Sequence, residues 1–343
     1  MSGGIDSSYS AYLLKEAGYR VVGFTFDLLP GSLRDGSNPR MCCSAVSVNR
    51  ARSVADRLAI PHYVLNMREE FDRHVVQRFV DEYRIGRTPN PCVLCNRYIK
   101  FDLFLKKAKA MGADLVATGH YARIEKAPQG FELKKGIDRS KDQSYFLYPI
   151  PEDDLEKIVF PLATTTKETI RQTFGAAGQG EVPESQDICF IPDNDYRAFI
   201  RRFMPRRKGP VVLVDGRQIG THEGIHLYTI GQRRGINVPF GQALYVVELR
   251  AEDNLVKVGD KASLSRRRLV ADDINMLNRA VAGRAAAKVR YRQKEEKCSY
   301  RVRHGLLEVL FDDPVSSIAP GQSVVLYDGD TVLGGGTIRE TFR

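Results

Sequence analysis

Apolar positions follow two different periods along this chain, and the change falls near Gly209. Before it, helical spacing alternates with short β-branched or aromatic runs. Tyr9, Tyr12 and Leu13 open the first helix; Val21, Val22, Phe24, Thr25 and Phe26 make Arg20–Leu28 read as a buried strand. Val46, Ala51, Val54 and Leu58 space a helix over 44–58, and His62–Leu65 reads as a short strand. Phe71, Val75, Val76, Phe79, Val80 and Tyr83 line one side of a helix over 68–84. Helix 96–111 and strand Asp114–Thr118 follow, and 151–203 reads as helical with a break at Pro183–Phe190. This alternation predicts an α/β fold, a doubly wound parallel sheet covered on both faces, with ligands at the carboxyl ends of its strands. Past Gly209 the period is two. Val211–Val214, Leu244–Glu248, Val256–Val258, Ala286–Tyr291, Ser299–His304, Leu307–Asp312, Ser323–Tyr327 and Thr331–Ile338 read as strands, in two small β-rich modules divided near 270–280. The domains expected are 1–203, 204–272 and 273–343.

Charge follows the same division. Residues 1–200 carry 27 Lys and Arg against 26 Asp and Glu, whereas residues 201–343 carry 25 against 16. Most of the net charge of +10 therefore lies in the β-rich part, which suits a polyanion, most simply nucleic acid. The plain alternative is a solvated basic face. No apolar run approaches the roughly 20 residues of a membrane span. No signal peptide is evident, and the six cysteines form no evident disulfide framework, so a reducing cytoplasm is expected.

The first eight residues are Met1-Ser2-Gly3-Gly4-Ile5-Asp6-Ser7-Ser8. Gly3 and Gly4 can adopt the positive φ angles that turn successive N–H groups inward, and Ser7 and Ser8 stand where a helix opens. Such a turn suits phosphate. It lacks the Gly-Lys-Ser/Thr of a P-loop; Asp6 in place of lysine suggests pyrophosphate with a bound cation. The plain alternative is a Gly-rich turn before an ordinary helix. A phosphate loop of this kind needs a strand delivering the chain into it, and Met1 stands immediately before Ser2, so the central strand of the sheet is expected to be missing.

Cys92 and Cys95 form a C-x-x-C pair where a helix starts, which favours thiolate. Cys189 stands in a second polar, Pro-containing loop. Three cysteines fall short of a four-ligand structural zinc site, for which His120 is a possible fourth ligand. They could hold three irons of a four-iron cluster and leave the fourth open. A C-x-x-C with a distant cysteine also suits redox chemistry, through a disulfide or a persulfide. Cys298, and more weakly Cys42 and Cys43, read as small core hydrophobes.

Five ordered motifs carry a resemblance. They are Ser2-Gly3-Gly4-Ile5-Asp6-Ser7, Gly86-Arg87-Thr88-Pro89-Asn90-Pro91 with Cys95-Asn96, Ala117-Thr118-Gly119-His120-Tyr121, Lys141-Asp142-Gln143-Ser144-Tyr145-Phe146-Leu147 and Ser185-Gln186-Asp187-Ile188-Cys189-Phe190. Together they resemble the tRNA-specific 2-thiouridylases, within the PP-loop ATP pyrophosphatases. The likeness continues through His226–Gly235 and Pro320-Gly321-Gln322-Ser323. It implies that ATP binds at Met1, Ser2, Gly3, Gly4, Ile5, Asp6 and Ser7, with Phe26 and Gly119 near the adenosine. It implies that Asn90, Pro91 and Cys92 line the target base and that Lys141, Asp142, Gln143, His120, Arg290, Tyr291 and Gln322 meet tRNA. Cys95 and Cys189 would be the catalytic pair, with the persulfide on Cys189, and the last module would be a β-barrel. The best-known members have Asp where this chain has Cys92, so a variant holding a 4Fe-4S cluster on Cys92, Cys95 and Cys189 is favoured over one in which Cys92 is a bystander.

The reaction so implied replaces the C2 oxygen of the anticodon wobble uridine by sulfur. ATP adenylates that oxygen, with Mg²⁺ positioned by Asp6, pyrophosphate leaves, and AMP departs when sulfur attacks. The partners are the tRNA anticodon stem-loop and a sulfur donor, either a persulfide carrier protein or sulfide. Two other functions compete: a PP-loop ligase or synthetase acting on a small molecule, and a non-enzymatic RNA-binding protein with a vestigial nucleotide fold.

Overall fold

The computed structural model describes residues 1–29, 45–175, 188–191 and 195–343. Cys42, Cys43 and the Ser185-Gln186-Asp187 part of the second cysteine loop lie outside them. The chain divides into two compact units. One comprises Met1–Val75, Cys92–Asp195 and Asp330–Val332; the other comprises Val76–Pro91, Tyr196–Gly329 and Leu333–Arg343.

In the first unit α1 (Ile5–Glu16) leads through β1 (Gly23–Asp27) and α2 (Ala45–Arg57) to β2 (His62–Asn66). Helix α1 ends in a left-handed glycine: Gly18 has φ +82°, and the Tyr19 N–H donates back to the Leu14 carbonyl at 3.1 Å. Strands β1 and β2 pair in parallel, Gly23 opposite His62 through Asp27 opposite Asn66. Helix α3 (Arg68–Phe71) passes through a π-turn, Asp72–Val76, into α4 (Gln77–Arg84) of the second unit. Next come α5 (Pro91–Leu94), a π-helical stretch Cys95–Leu103 and α6 (Phe104–Ala110). Thus each helix expected over 68–84 and 96–111 is present but contains a π-segment.

Strand β3 (Val116–Ala117) pairs in parallel with β6 (Ile158–Val159). Between them stands an antiparallel hairpin, β4 (Ala122–Ala127) and β5 (Gly130–Lys135), where the sequence showed only turn signals. The parallel strands therefore make two separate pairs, and among the described residues no strand joins them. Helix α7 (Lys167–Gly175) packs on α1. Tyr9, Tyr121, Leu162 and Ile170 form the buried centre of that packing, with Tyr12, Leu13 and Phe174 at its edge. The Thr166 hydroxyl accepts the Thr169 N–H at 3.2 Å, which caps the start of α7.

The second unit continues with α8 (Tyr196–Arg201) and a four-stranded sheet of β7 (Gly209–Leu213), β8 (Gln218–His222), β9 (Tyr245–Arg250) and β10 (Leu255–Gly259), in the order β8-β7-β10-β9. Val211, Val246, Val256 and Val258 are fully buried in its core. Six strands follow: β11 (Ser265–Met276), β12 (Ala282–Lys288), β13 (Glu296–Arg303), β14 (Leu306–Ser316), β15 (Ser323–Asp328) and β16 (Thr331–Phe342). Their order is β11-β14-β13-β12-β15-β16, and β11 also pairs with β16, so the sheet closes into a barrel. The pairing of β11 with β16 closes the row of six strands on itself. Strand β11 runs through most of the stretch where the change in pattern suggested a division. Inward residues such as Leu269, Val309, Phe311, Leu326 and Ile338 fill the barrel, and Cys298 among them is a core thiol whose pKa burial pushes up to about 12.

Candidate active site

The glycine-rich turn is fixed by sterics. Gly3 has φ +72°, and a Cβ there would lie 2.4 Å from the Ser47 carbonyl oxygen, so both the angle and the space demand glycine. Gly4 is the N-cap of α1, in an extended conformation and with no side-chain cap bond. The Ser7 hydroxyl donates to the Gly4 carbonyl at 3.0 Å and accepts the Ser2 N–H at 3.0 Å, which ties the turn to the helix. Gly119 presses against the same first turn: a Cβ there would be 3.1 Å from the Ser7 nitrogen. Ser2, Gly3, Gly4, Ile5, Asp6, Ser7 and Gly119 are thus brought together at the positive end of a helix dipole, where an anion is favoured. The Met1 carbonyl accepts the Thr25 hydroxyl of β1 at 2.6 Å. Phe26, at the far end of β1, packs its ring edge-on against Phe104, with centroids 4.8 Å apart.

Asp6 does not stand alone in that turn. The Lys167 ammonium reaches both of its carboxylate oxygens, at 2.6 and 2.7 Å, and the Tyr121 hydroxyl donates to Oδ1 at 2.6 Å. Lys167 is only 8% exposed. Burial, and then the Asp6 carboxylate beside it, push the Tyr121 phenol well above its ordinary pKa, so it remains a donor. Tyr121 is held in turn by Gln143, whose side-chain oxygen accepts the Tyr121 N–H at 3.1 Å and whose own N–H donates to the Tyr121 carbonyl at 2.9 Å. Asp142 is buried, and its carboxylate accepts the Gly136 and Ser144 N–H groups and the Ser144 hydroxyl. Asp138 accepts the Lys167 N–H at 3.0 Å. Asp142 and Gln143 therefore brace Tyr121 and Gly136, the residues on either side of the β4–β5 hairpin.

Cys92 and Cys95 stand in consecutive helical segments, and Cys189 in a separate loop. Cys92 lies in α5, behind Pro91 at the first helical position, where a missing N–H costs nothing. Cys95 opens the π-helical stretch and is buried, while Cys92 and Cys189 are half-buried. Asn96 anchors this helix, donating from its side chain to the Phe146 carbonyl at 2.9 Å. Phe190, next to Cys189, stacks edge-on against Phe71 of α3, and α3 packs on the helix that begins at Cys95. Cys298, in the barrel core, is a free thiol. Among the described residues, no three His, Cys, Asp or Glu side chains stand together so that they could hold a metal ion.

His120 is a buried neutral imidazole. Its Nδ1 pairs with the Thr118 hydroxyl at 2.7 Å and its Nε2 faces the Lys100 ammonium at 3.3 Å. Burial first, and then Lys100, hold its pKa well below the ordinary value.

Asn90 and Pro91 belong to the second unit, as do Arg290, Tyr291 and Gln322. The Arg290 guanidinium donates to the Ile230 carbonyl at 2.6 Å. Gln322 holds the turn before Asn90, and the Thr88 N–H donates to the Pro320 carbonyl at 2.8 Å.

Three family models match in chain order: a tRNA methyl transferase HUP domain over residues 1–193, a tRNA methyl transferase PRC-barrel domain over 197–260, and an aminomethyltransferase beta-barrel domain over 266–338. A protein named tRNA-specific 2-thiouridylase MnmA from Carboxydothermus hydrogenoformans is 46% identical over 351 aligned positions, covering 99% of this chain and 96% of that one. The proteins of the same name from Geobacter metallireducens and Clostridioides difficile are 46% and 41% identical, covering 98% and 99% of this chain and 95% and 97% of theirs. The chain belongs to the tRNA-specific 2-thiouridylase family. The expected architecture, a nucleotide-binding α/β domain followed by two β-rich modules of which the last is a barrel, agrees with the three matched models and with the closed six-stranded sheet.

Two site residues escaped the sequence reading: Lys167 and, as a partner of Asp6, Tyr121. A signal for the first existed. A lysine at the opening of a helix opposes the dipole, so it needs another reason to be there.

Proposed function

We propose that this member of the 2-thiouridylase family is a tRNA-uridine 2-sulfurtransferase acting on the anticodon wobble uridine. The observation that carries this is the family relationship over nearly the whole chain, with the glycine-rich turn of Gly3 and Gly4 intact at its start. The uracil C2 oxygen is a poor leaving group. In the proposed first step it attacks the α-phosphorus of ATP, the α–β anhydride bond breaks, and pyrophosphate departs with the bonding pair. Charge growing on pyrophosphate meets the N–H groups of the turn and the dipole of α1. Mg²⁺ would enter on the ATP phosphates and supply further charge neutralisation; of the protein groups at the turn, Asp6 is the one able to meet it.

In the second step sulfur on Cys189, carried as a persulfide, attacks C2 and AMP leaves. Cys95 thiolate then attacks the Cys189 sulfur, which frees 2-thiouridine and leaves a Cys95–Cys189 disulfide for a thiol reductant to open. A persulfide carrier reloads the reduced Cys189 by passing its outer sulfur to the Cys189 thiolate and leaving as a thiol; sulfide would reload it instead by attacking Cys189 in the Cys95–Cys189 disulfide, with Cys95 thiolate as the leaving group. The alternative is a four-iron cluster on Cys92, Cys95 and Cys189, whose open iron would bind sulfide and deliver it; iron and sulfide content after anaerobic reconstitution separates the two.

Recognition completes the proposal. The flipped uridine would lie against Asn90, Pro91 and Cys92, with His120, Lys141, Arg290, Tyr291 and Gln322 near the RNA. Asp142 and Gln143 would act through the backbone that they hold. The net charge of +10 supports a phosphate grip that weakens with salt, and the cytoplasm is the proposed place of work. No helix among the described residues is long and apolar enough to cross a membrane. The test is nucleotide product analysis: tRNA-dependent formation of AMP and pyrophosphate is expected, and ADP with phosphate, or turnover indifferent to tRNA, would refute the reading.

A further inference from the structure

We propose that Lys167 is the ammonium group which the glycine-rich turn itself lacks, and that it contacts the pyrophosphate leaving group during adenylation. The inference rests on the function proposed above and adds a residue to its first step. Its basis is a juxtaposition. Helix α7 is seated on α1 by Tyr9, Tyr121, Leu162 and Ile170, and this packing brings a residue 161 positions away in sequence to the mouth of the turn. There the Lys167 ammonium spans both oxygens of Asp6, while Lys167 itself is 8% exposed. Tyr121 shares Oδ1.

Two features distinguish this pair from an ordinary ion pair. First, a lysine opening a helix sits at the wrong end of the dipole, and its backbone N–H is separately anchored to Asp138, so the side chain's position is set by α7 and not by Asp6 alone. Second, Asp6 lies in the first turn of the helix whose free N–H groups face an incoming phosphate. An anionic ligand with its own divalent cation presents Asp6 with a competitor for Lys167. Asp6 would meet that cation, and the Lys167 ammonium, a compact charge on a flexible stem, would then be released to the β- and γ-phosphate oxygens. Tyr121 keeps Asp6 oriented through the exchange. When the α–β bond breaks, negative charge grows on the bridging oxygen of pyrophosphate and Lys167 donates hydrogen bonds to it. No proton is transferred in the step.

Inorganic pyrophosphate with Mg²⁺ is the probe. Wild-type protein is expected to bind it and to be inhibited by it; if wild type neither binds nor releases pyrophosphate, the functional reading fails and not the role of Lys167 alone. With wild type binding, Lys167→Met is expected to weaken pyrophosphate binding at least tenfold and to lower kcat for adenylation about a hundredfold, with KM for ATP changed much less. Lys167→Arg restores part of the binding. Unchanged pyrophosphate binding and kcat in a folded Lys167→Met protein overturn the proposal. Should the variants fail to fold, the ¹⁵Nζ resonance of Lys167 in wild type decides: it shifts when pyrophosphate binds, and a resonance that stays still at saturation overturns the proposal equally.

Discussion

The side-chain amide of Gln322 donates to the carbonyl oxygens of both Thr88 and Pro89, at 3.0 and 3.1 Å. One side chain of β15's approach thus clamps the turn that immediately precedes Asn90. Gln322→Ala is expected to cost about 1–2 kcal/mol of stability, two hydrogen bonds at roughly 1 kcal/mol or less each. Gln322→Glu is expected to cost more, because a carboxylate faces two carbonyl oxygens. Chemical denaturation of both variants checks the order, and a Glu variant as stable as wild type contradicts it.

Gly3→Ala should damage the site more than its size suggests. The left-handed angle costs about 1–2 kcal/mol for a non-glycine residue, and the added carbon meets the Ser47 carbonyl oxygen at 2.4 Å. The turn must open to accept it. Loss of ATP binding by calorimetry, in a protein whose barrel stays folded by circular dichroism, is the expected result. Gly18→Ala, with nothing within 4 Å of the new carbon, is the control.

Cys95→Ser and Cys189→Ser are each expected to abolish thiolation and leave tRNA binding within about twofold, since a serine hydroxyl carries no transferable sulfur. Cys298→Ala, inside the barrel, is expected to retain thiolation and lose about 1 kcal/mol of stability. Thiolated tRNA retained by either serine variant removes that cysteine from the mechanism.

Acid should destabilise the protein through its buried histidines. The folded-state pKa of His120 is depressed by burial and Lys100, so protonation at low pH favours the unfolded chain. Stability is then fully present above the unfolded value near 6.5 and falls as pH drops below it, by up to about 1.4 kcal/mol per pH unit for one such group. His62, His222 and His226 are lowered in the same direction, each chiefly by burial. Melting temperature measured from pH 7.5 to 5.5 is expected to fall, and to fall less steeply in His120→Gln; a flat profile contradicts the assignment.

The parts legible in the sequence were those whose cause is local. A Gly-Gly turn before a helix, β-branched runs and most period-two strands leave their mark on neighbouring residues, whereas β6 (Ile158–Val159), inside a stretch expected to be helical, and β8 (Gln218–His222) went unread. The barrel strand β11 was not, because it is bulged: its pairing with β16 slips between Val270 and Ala271 and again between Asp272 and Asn275, and Asp273 adopts φ +50°. Each slip breaks the alternation that marks a strand. The β4–β5 hairpin hides for a different reason. Its cross-strand support includes charge pairs such as Lys134 with Glu125, which look like loop composition. The pairing of Lys167 with Asp6 was not legible, because the partner lies on another helix and only the packing of α7 on α1 brings them together.

The central claim is that ATP cleavage at the Gly3-Gly4 turn activates a uridine oxygen for replacement by sulfur. Nucleoside mass spectrometry tests it most directly: unmodified tRNA is incubated with the protein, ATP, Mg²⁺ and a sulfur donor, then digested. The account predicts 2-thiouridine at the wobble position, formed only with ATP and with one AMP released per sulfur inserted. Unchanged uridine beside consumed ATP, or thiolation without ATP, would contradict it.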